Sequence, residues 1–261
     1  MDHRTYLKID LNKLEHNYNS VRNKLPSGVK LLGVIKANAY GNGAVEIGKF
    51  LDDKCDFFGV ACIEEAIELK KAGIKTPILI LGRVFPFDVE KAVKYDIRIP
   101  IFSYDDAVIL SNEAVKQNKN MPYHFCIDTG MSRIGFQVNE ESADICKRIT
   151  ELPNIFAEGM FSHFATSDEA DLSKAVEQRN KYKRFCKMLS DRKIEIPIKH
   201  LNNSAGIMNF DEYFDMCRMG IVTYGLYPSE EVDKSLLDIE PIMSWYTKLS
   251  LIHISEPTRH S

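Results

Sequence analysis

Short apolar, β-branched runs recur along the chain, and helical patterns lie between them. Residues 31–35 (Leu-Leu-Gly-Val-Ile) have buried-strand character, and the spacing predicts a helix over 44–51 behind them. The same pairing returns as a strand over 56–61 and a helix over 63–72. That helix places Glu64, Glu65, Glu68, Lys70 and Lys71 on its wet face, with Gly73 as its stop. Strands are predicted at 77–81, 97–102 and 123–127, and helices at 88–95, 105–117 and 140–151, the last closed by Pro153. A sixth strand at 155–162, a long helix at 173–189, and strands at 196–201 and 214–218 complete the series. Continuous apolar runs, where alternation would mark a one-sided sheet, fit strands covered on both faces. Eight strand-then-helix units predict a parallel (β/α)8 TIM barrel, with an open doubly wound sheet as the rival. From Tyr227 the pattern changes, residues 228–238 are polar, and a new unit begins.

Composition narrows the classes without changing that picture. The 261 residues carry a formal charge of −3, with 44% hydrophobic and 27% charged positions, an ordinary globular balance. Nothing in it calls for a nucleic-acid or membrane partner. No apolar run reaches the roughly 18 residues of a membrane span. Met1 to Arg4 leads straight into a strand-like run with no signal-peptide core, so a cytoplasmic location is expected. The six cysteines are scattered, with no Cys-x-x-Cys and no Cys/His pairing, so neither a disulfide framework nor a bound metal is expected.

In a parallel barrel the chemistry sits at the C-terminal ends of the strands. The first run ends in Lys36, followed by Ala37-Asn38-Ala39-Tyr40-Gly41-Asn42-Gly43. A lysine continuing a buried strand is costly unless paired or functional, and a desolvated lysine is a natural Schiff-base former. A surface lysine that snorkels is the bland reading. Other polar endings are Asp128 to Gly135 with Arg133, Ser162-His163, Asn202-Asn203-Ser204 and Arg218-Met219-Gly220-Ile221. Each is weak alone: Arg133 could be an ion-pair partner, His163 a structural histidine, and the 202–204 run a helix N-cap. A serine, a glycine and a helix start after the last two strands would together cradle a phosphate. A lysine on the first strand opposite such a cradle is what pyridoxal phosphate requires.

These motifs resemble the alanine racemase family, the barrel-type pyridoxal-phosphate enzymes. The run from Val34 to Gly43 is similar to the family's cofactor-lysine signature. Similar blocks run from Ile127 to Phe136, Phe161 to Ala165, Asn203 to Ala205, and Arg218 to Ile221 on through Tyr224 to Pro228, all in the family's order. The resemblance implies that Lys36 holds the cofactor covalently and acts as the base on the D-face. It implies that Tyr40, Ser204 and the backbone N–H groups of Gly220 and Ile221 bind the phosphate. Arg218 would face the pyridine nitrogen, His163 would support Arg218 near the ring, Asn203 would line the cofactor site, and Arg133 would place the substrate carboxylate. The implied reaction interconverts L- and D-alanine for peptidoglycan precursors, in a homodimer of the full-length parent in which the partner subunit's C-terminal domain supplies a tyrosine as the second base. Rivals are a racemase of serine or another small amino acid, a non-catalytic pyridoxal-phosphate barrel, and a basic-amino-acid decarboxylase, against which the arginine at 218 argues.

Two departures stand out. Many relatives carry a carbamylated lysine seven residues before the arginine of the Asp-Thr-Gly-Met block, where this chain has Cys126, so another group is expected to hold Arg133. The family also continues into a β-rich C-terminal domain, and this chain is expected to lack most of it. The expected organisation is an N-terminal strand over 1–10, the cofactor-binding barrel over 11–226, the start of a truncated domain over 227–248, and a non-native tail over 249–261. The run 249–259 resembles one reading frame of a transposon sequencing adapter. The strand near Thr5 to Ile9 is expected to have an unpaired edge, and the chain to keep its cofactor barrel while racemising poorly.

Overall fold

A computed structural model of the protein describes residues 4–248. The expected non-native tail at 249–261, with its adapter-like run, lies outside the described residues. A first strand, β1 (Thr5–Ile9), leads into helix α1 (Leu11–Lys24), whose N-cap Asp10 accepts from the backbone N–H groups of Asn12 and Lys13. The alternation then runs β2 (Lys30–Val34), α2 (Lys36–Tyr40), α3 (Ala44–Leu51), β3 (Phe57–Val60), α4 (Ile63–Lys71), β4 (Ile78–Ile80), α5 (Val89–Lys94) and β5 (Ile99–Ile101). It continues through α6 (Tyr104–Lys116), β6 (Met121–Asp128), the short β7 (Phe136–Gln137), α7 (Glu140–Ile149), β8 (Ile155–Phe161), α8 (Ser173–Asp191), β9 (Ile198–His200), α9 (Ser204–Asn209) and β10 (Met216–Met219).

Two parallel ladders, β10-β2-β3-β4 and β5-β6-β8-β9, make the wall. They join into a closed barrel. At one seam Arg98 N–H donates to the Ile78 carbonyl at 2.9 Å and Ile80 N–H to the Arg98 carbonyl at 3.0 Å. At the other, Asp215 N–H donates to the Lys199 carbonyl at 3.0 Å and Arg218 N–H to the Asn202 carbonyl at 2.9 Å. The expected (β/α)8 barrel is therefore observed, and the open sheet is not. Strands β2, β3, β4, β5 and β10 are buried along nearly their whole length, which explains their unbroken apolar runs. Each fully buried Leu or Phe, such as Leu31, Leu32 or Phe58, contributes roughly 1.5–3 kcal/mol.

Three expectations change. The strand near Thr5 to Ile9 does not have a wholly unpaired edge: β11 (Met243–Thr247) pairs with β1 antiparallel, from Thr5 opposite Thr247 to Ile9 opposite Met243. The chain beyond Tyr227 reaches back far enough to supply that partner. The eighth strand begins at Met216, because Phe214 has φ +53° and cannot be extended there. The last barrel strand is followed by a single 3-10 turn, Ile221–Tyr224. Helix α1, which the strand-then-helix count passed over, packs with α9 against β2 and β10 through Val21, Leu25, Leu31, Ile207 and Met219.

Candidate functional site

The segment after β2 does not continue as a right-handed helix. Ala37, Asn38, Ala39 and Tyr40 all have φ between +51° and +54°, a left-handed turn built without glycine. Such geometry costs L-residues roughly 1–2 kcal/mol each. It persists because its polar groups are tied down. Glu65 accepts from Ala37 N–H and from Ala61 N–H, both at 2.7 Å, and Asn38 Oδ1 accepts from Ala44 N–H at 2.8 Å. The result is that Lys36 and Tyr40 turn to the same cavity, with Lys36 Nζ 6.0 Å from the Tyr40 ring centre.

That cavity has a volume of about 580 Å³ and opens at the C-terminal mouth of the barrel. All nine residues singled out from the sequence line it: Lys36, Tyr40, Arg133, His163, Asn203, Ser204, Arg218, Gly220 and Ile221. They come from the ends of β2, β6, β8, β9 and β10, so the barrel brings together what the chain separates. Arg218 lies within β10, not after it.

One side of the cavity gathers hydrogen-bonding groups from three elements. Ser204 Oγ accepts from Gly220 N–H at 3.0 Å, and a Cβ added at Gly220 would lie 3.4 Å from Ser204 Oγ and 3.6 Å from Tyr40 Oη. The missing side chain leaves room where a serine hydroxyl, a tyrosine hydroxyl and a backbone N–H converge. The Tyr224 ring packs tilted against Tyr40, 5.0 Å between ring centres, and its hydroxyl donates to the Val34 carbonyl at 2.7 Å, which steadies Tyr40. Asn203 caps α9 by accepting from Gly206 N–H at 2.9 Å, so its expected N-cap role is present as well.

The floor is cationic. Arg218 is buried and has no carboxylate partner among the described residues. Its Nη1 donates to the His200 carbonyl and to His200 Nδ1, both at 3.1 Å. Its Nη2 faces the Ser162 carbonyl at 2.8 Å, the Leu201 carbonyl at 2.9 Å and His163 Nδ1 at 3.2 Å. No acceptor of the described residues reaches Nε, which leaves one donor for a ligand. Burial pushes the guanidinium down to about 10, so it stays cationic at neutral pH. Burial and then the charges of Arg218, Arg133 and Lys36 push His163 down to about 3, so that imidazole is neutral and can accept from Arg218. The Lys36 ammonium is lowered by desolvation first and by the nearby Arg133 and Arg218, partly opposed by Glu65.

Arg133 sits on an exposed loop, and no described residue forms an ion pair or hydrogen bond with it. The loop itself is fixed by Asp128, which accepts from Gly130 N–H at 2.9 Å and Ser132 N–H at 3.0 Å. Burial pushes the Cys126 thiol up to about 12, so it is a neutral donor, facing the Ile134 carbonyl at 3.7 Å, and no anion for Arg133. Sequence reasoning missed Tyr224, Glu65 and His200. Only Tyr224 stood inside a quoted block; Glu65 read as wet-face charge and His200 as an interior position of the strand expected at 196–201.

Fold and site together define a class: a closed parallel barrel with a partly desolvated lysine at its first strand and a cluster of hydroxyl and backbone N–H groups after its last two. The chain matches the family model "Alanine racemase, N-terminal domain" over residues 9–228 and belongs to that family. It is 41% identical over 251 residues to the alanine racemase of Clostridium tetani, covering 95% of this chain and 64% of that protein. It is 42% identical over 253 residues to alanine racemase 1 of Clostridium acetobutylicum, covering 96% and 65%. The chain thus spans less than two thirds of the length of these curated relatives. Among solved structures it resembles alanine racemase of Clostridium difficile 630 in complex with cycloserine, with a TM-score of 0.92 at 40% identity over 94% of this chain and 68% of that one. Alanine racemase from Bacillus anthracis with bound L-Ala-P gives 0.86 at 31% identity, over 94% and 64%.

Proposed function

We propose that the chain is the cofactor-binding barrel of a pyridoxal-phosphate-dependent racemase that interconverts L- and D-alanine for peptidoglycan precursors. The observation that carries the proposal is the meeting of Lys36, the Tyr40–Ser204–Gly220 cradle and Arg218 in one cavity. These residue types suit a group with an aldehyde, a phosphate arm on the neighbouring ring carbon, and a ring nitrogen across the ring from the aldehyde. When bound, that group supplies an electron sink for the α-carbon of an amino acid.

Lys36 holds the group and, being partly desolvated, is poised to take or return a proton on one face. Ser204, Tyr40 and the N–H groups of Gly220 and Ile221 bind the phosphate at the start of the 3-10 turn. Arg218 has only donors, so it leaves a ring nitrogen unprotonated and limits the sink to what proton exchange needs. His163 keeps Arg218 in place, Asn203 lines the site, and Arg133 positions the substrate carboxylate. Racemisation needs a second base on the opposite face, proposed to be a tyrosine of the C-terminal domain of the partner subunit in a full-length homodimer, a domain this chain is expected to lack for the most part. A cytoplasmic location belongs to the same proposal; among the described residues no helix is long and apolar enough to cross a membrane.

The test is hydrogen exchange at the α-carbon. The cofactor-loaded protein is incubated with D-alanine in deuterated water, beside D-serine and D-lysine. Deuterium enters alanine fastest, and the Lys36→Ala variant abolishes it. Cofactor uptake with no exchange into any amino acid would point to a carrier and refute the racemase reading.

A further inference from the structure

Behind Arg218 a line of buried polar groups crosses the barrel interior, and no part of it has a place in the reaction described above. Arg218 Nη1 faces His200 Nδ1 at 3.1 Å. His200 Nε2 faces His124 Nδ1 at 2.9 Å, and His124 Nε2 faces Glu158 Oε2 at 3.2 Å. Arg98 closes the line with two hydrogen bonds to the Glu158 carboxylate, each 3.1 Å. Both histidines are completely buried.

The chemistry of the two ends sets the direction of every hydrogen between them. A guanidinium can only donate, so His200 Nδ1 must accept and its proton must sit on Nε2. That proton points at His124 Nδ1, which must accept in turn, so the His124 proton also sits on Nε2 and is given to Glu158. At the far end an ionised carboxylate can only accept. Burial would raise the Glu158 carboxyl, but hydrogen bonds from His124 and Arg98 outweigh it and hold it down to about 2. Both histidines are lowered, chiefly by burial, so both rings are neutral at physiological pH.

The backbone is shaped to admit the line. Along the β6–β8 ladder, Tyr123 pairs with Ala157 and His124 with Gly159, so Glu158 is the unpaired extra residue of a bulge. A bulge re-aims a side chain, here towards His124. A Cβ at Gly159 would fall 2.5 Å from the His124 ring and 2.8 Å from the Ile198 carbonyl, so only glycine leaves His124 its place.

We propose that Glu158, acting through His124 and His200, is a positioning residue for Arg218. It is the ionic anchor of a one-directional hydrogen-bond line that gives an otherwise carboxylate-free buried guanidinium a fixed acceptor. With both Nη groups committed to protein acceptors, Nε alone is left without a partner among the described residues. What Nε then meets depends on the function proposed above, but the line belongs to the protein without ligand and stands or falls separately.

The test is NMR on the ligand-free chain with 15N-labelled histidine and arginine. In the wild type, His124 and His200 each show a protonated Nε2 and an unprotonated Nδ1 from pH 6 to 8. In Glu158→Gln the amide oxygen still accepts from His124, so both tautomers persist and solvent exchange of the Arg218 Nη protons stays near the wild-type rate. In Glu158→Leu the His124 donor has no acceptor, and that exchange accelerates by about tenfold, the scale of one lost hydrogen bond. A proton on Nδ1 of either ring in the wild type overturns the proposal even if the leucine variant does not fold. So does a folded leucine variant whose Arg218 exchange is unchanged.

Discussion

The left-handed turn after Lys36 makes a prediction whose sign separates it from the helix that propensity alone would suggest. Ala37 has φ +51° and ψ +50°, and its side chain is exposed, so replacing it with glycine removes no packing. In this conformation alanine lies roughly 1–2 kcal/mol above its right-handed form, a penalty glycine does not have. Glycine's greater freedom in the unfolded chain costs about 0.4–1 kcal/mol in return. Ala37→Gly should therefore stabilise the ligand-free protein by about 0.5–1 kcal/mol, or about 1–4 °C in Tm for a protein of this size. In a right-handed helix the same change would destabilise by about 1 kcal/mol. Urea unfolding at unchanged m-value is the assay. A destabilisation of about 0.5 kcal/mol or more, on the scale expected for a right-handed helix, would refute the reasoning.

Three further outcomes are expected. Arg133→Leu removes one of the charges that lower the Lys36 ammonium, so the pH midpoint for labelling Lys36 with an amine-selective reagent should move up; a downward shift contradicts the assignment of cause. Gly135 has φ +127° and a Cβ there would lie 2.5 Å from the Asp128 backbone nitrogen, so Gly135→Ala should cost about 2–5 kcal/mol in urea unfolding; a near-neutral result would mean that the 128–135 loop is not held as described. Glu158 is depressed in the folded state, so its contribution is complete above the unfolded carboxyl range near pH ~4.3 and is lost as pH falls towards 2. The stability difference between wild type and Glu158→Gln should accordingly narrow between pH 5 and pH 3, about the range where the unfolded carboxyl protonates; a widening would reverse the sign.

The barrel was legible because its strands are buried on both faces and therefore read as continuous apolar runs, from Leu31 to Met219. The site was legible because polar residues follow those runs: Lys36, His163, Ser204 and Gly220 each stand just past a strand. What stayed hidden depends on tertiary contacts. Lys-Ala-Asn-Ala-Tyr carries no signal for a left-handed turn; the carboxylate that holds it, Glu65, belongs to another unit. The line from Arg218 to Glu158 joins residues from four strands, and the bulge that aims Glu158 inward is a property of strand pairing, not of local sequence. The pairing of β1 with β11 spans nearly the whole chain, and the exposed positions on both strands give periodicity little to read.

Covalent attachment at Lys36 is the proposal on which the cofactor chemistry rests, and one measurement addresses it directly. The protein is mixed with pyridoxal phosphate, reduced with borohydride, digested and mapped by mass spectrometry. The pyridoxyl group should be found on Lys36 at about one per chain, and the Lys36→Ala variant should carry none at defined positions. Label spread over surface lysines, or concentrated on a different one, would contradict the central claim.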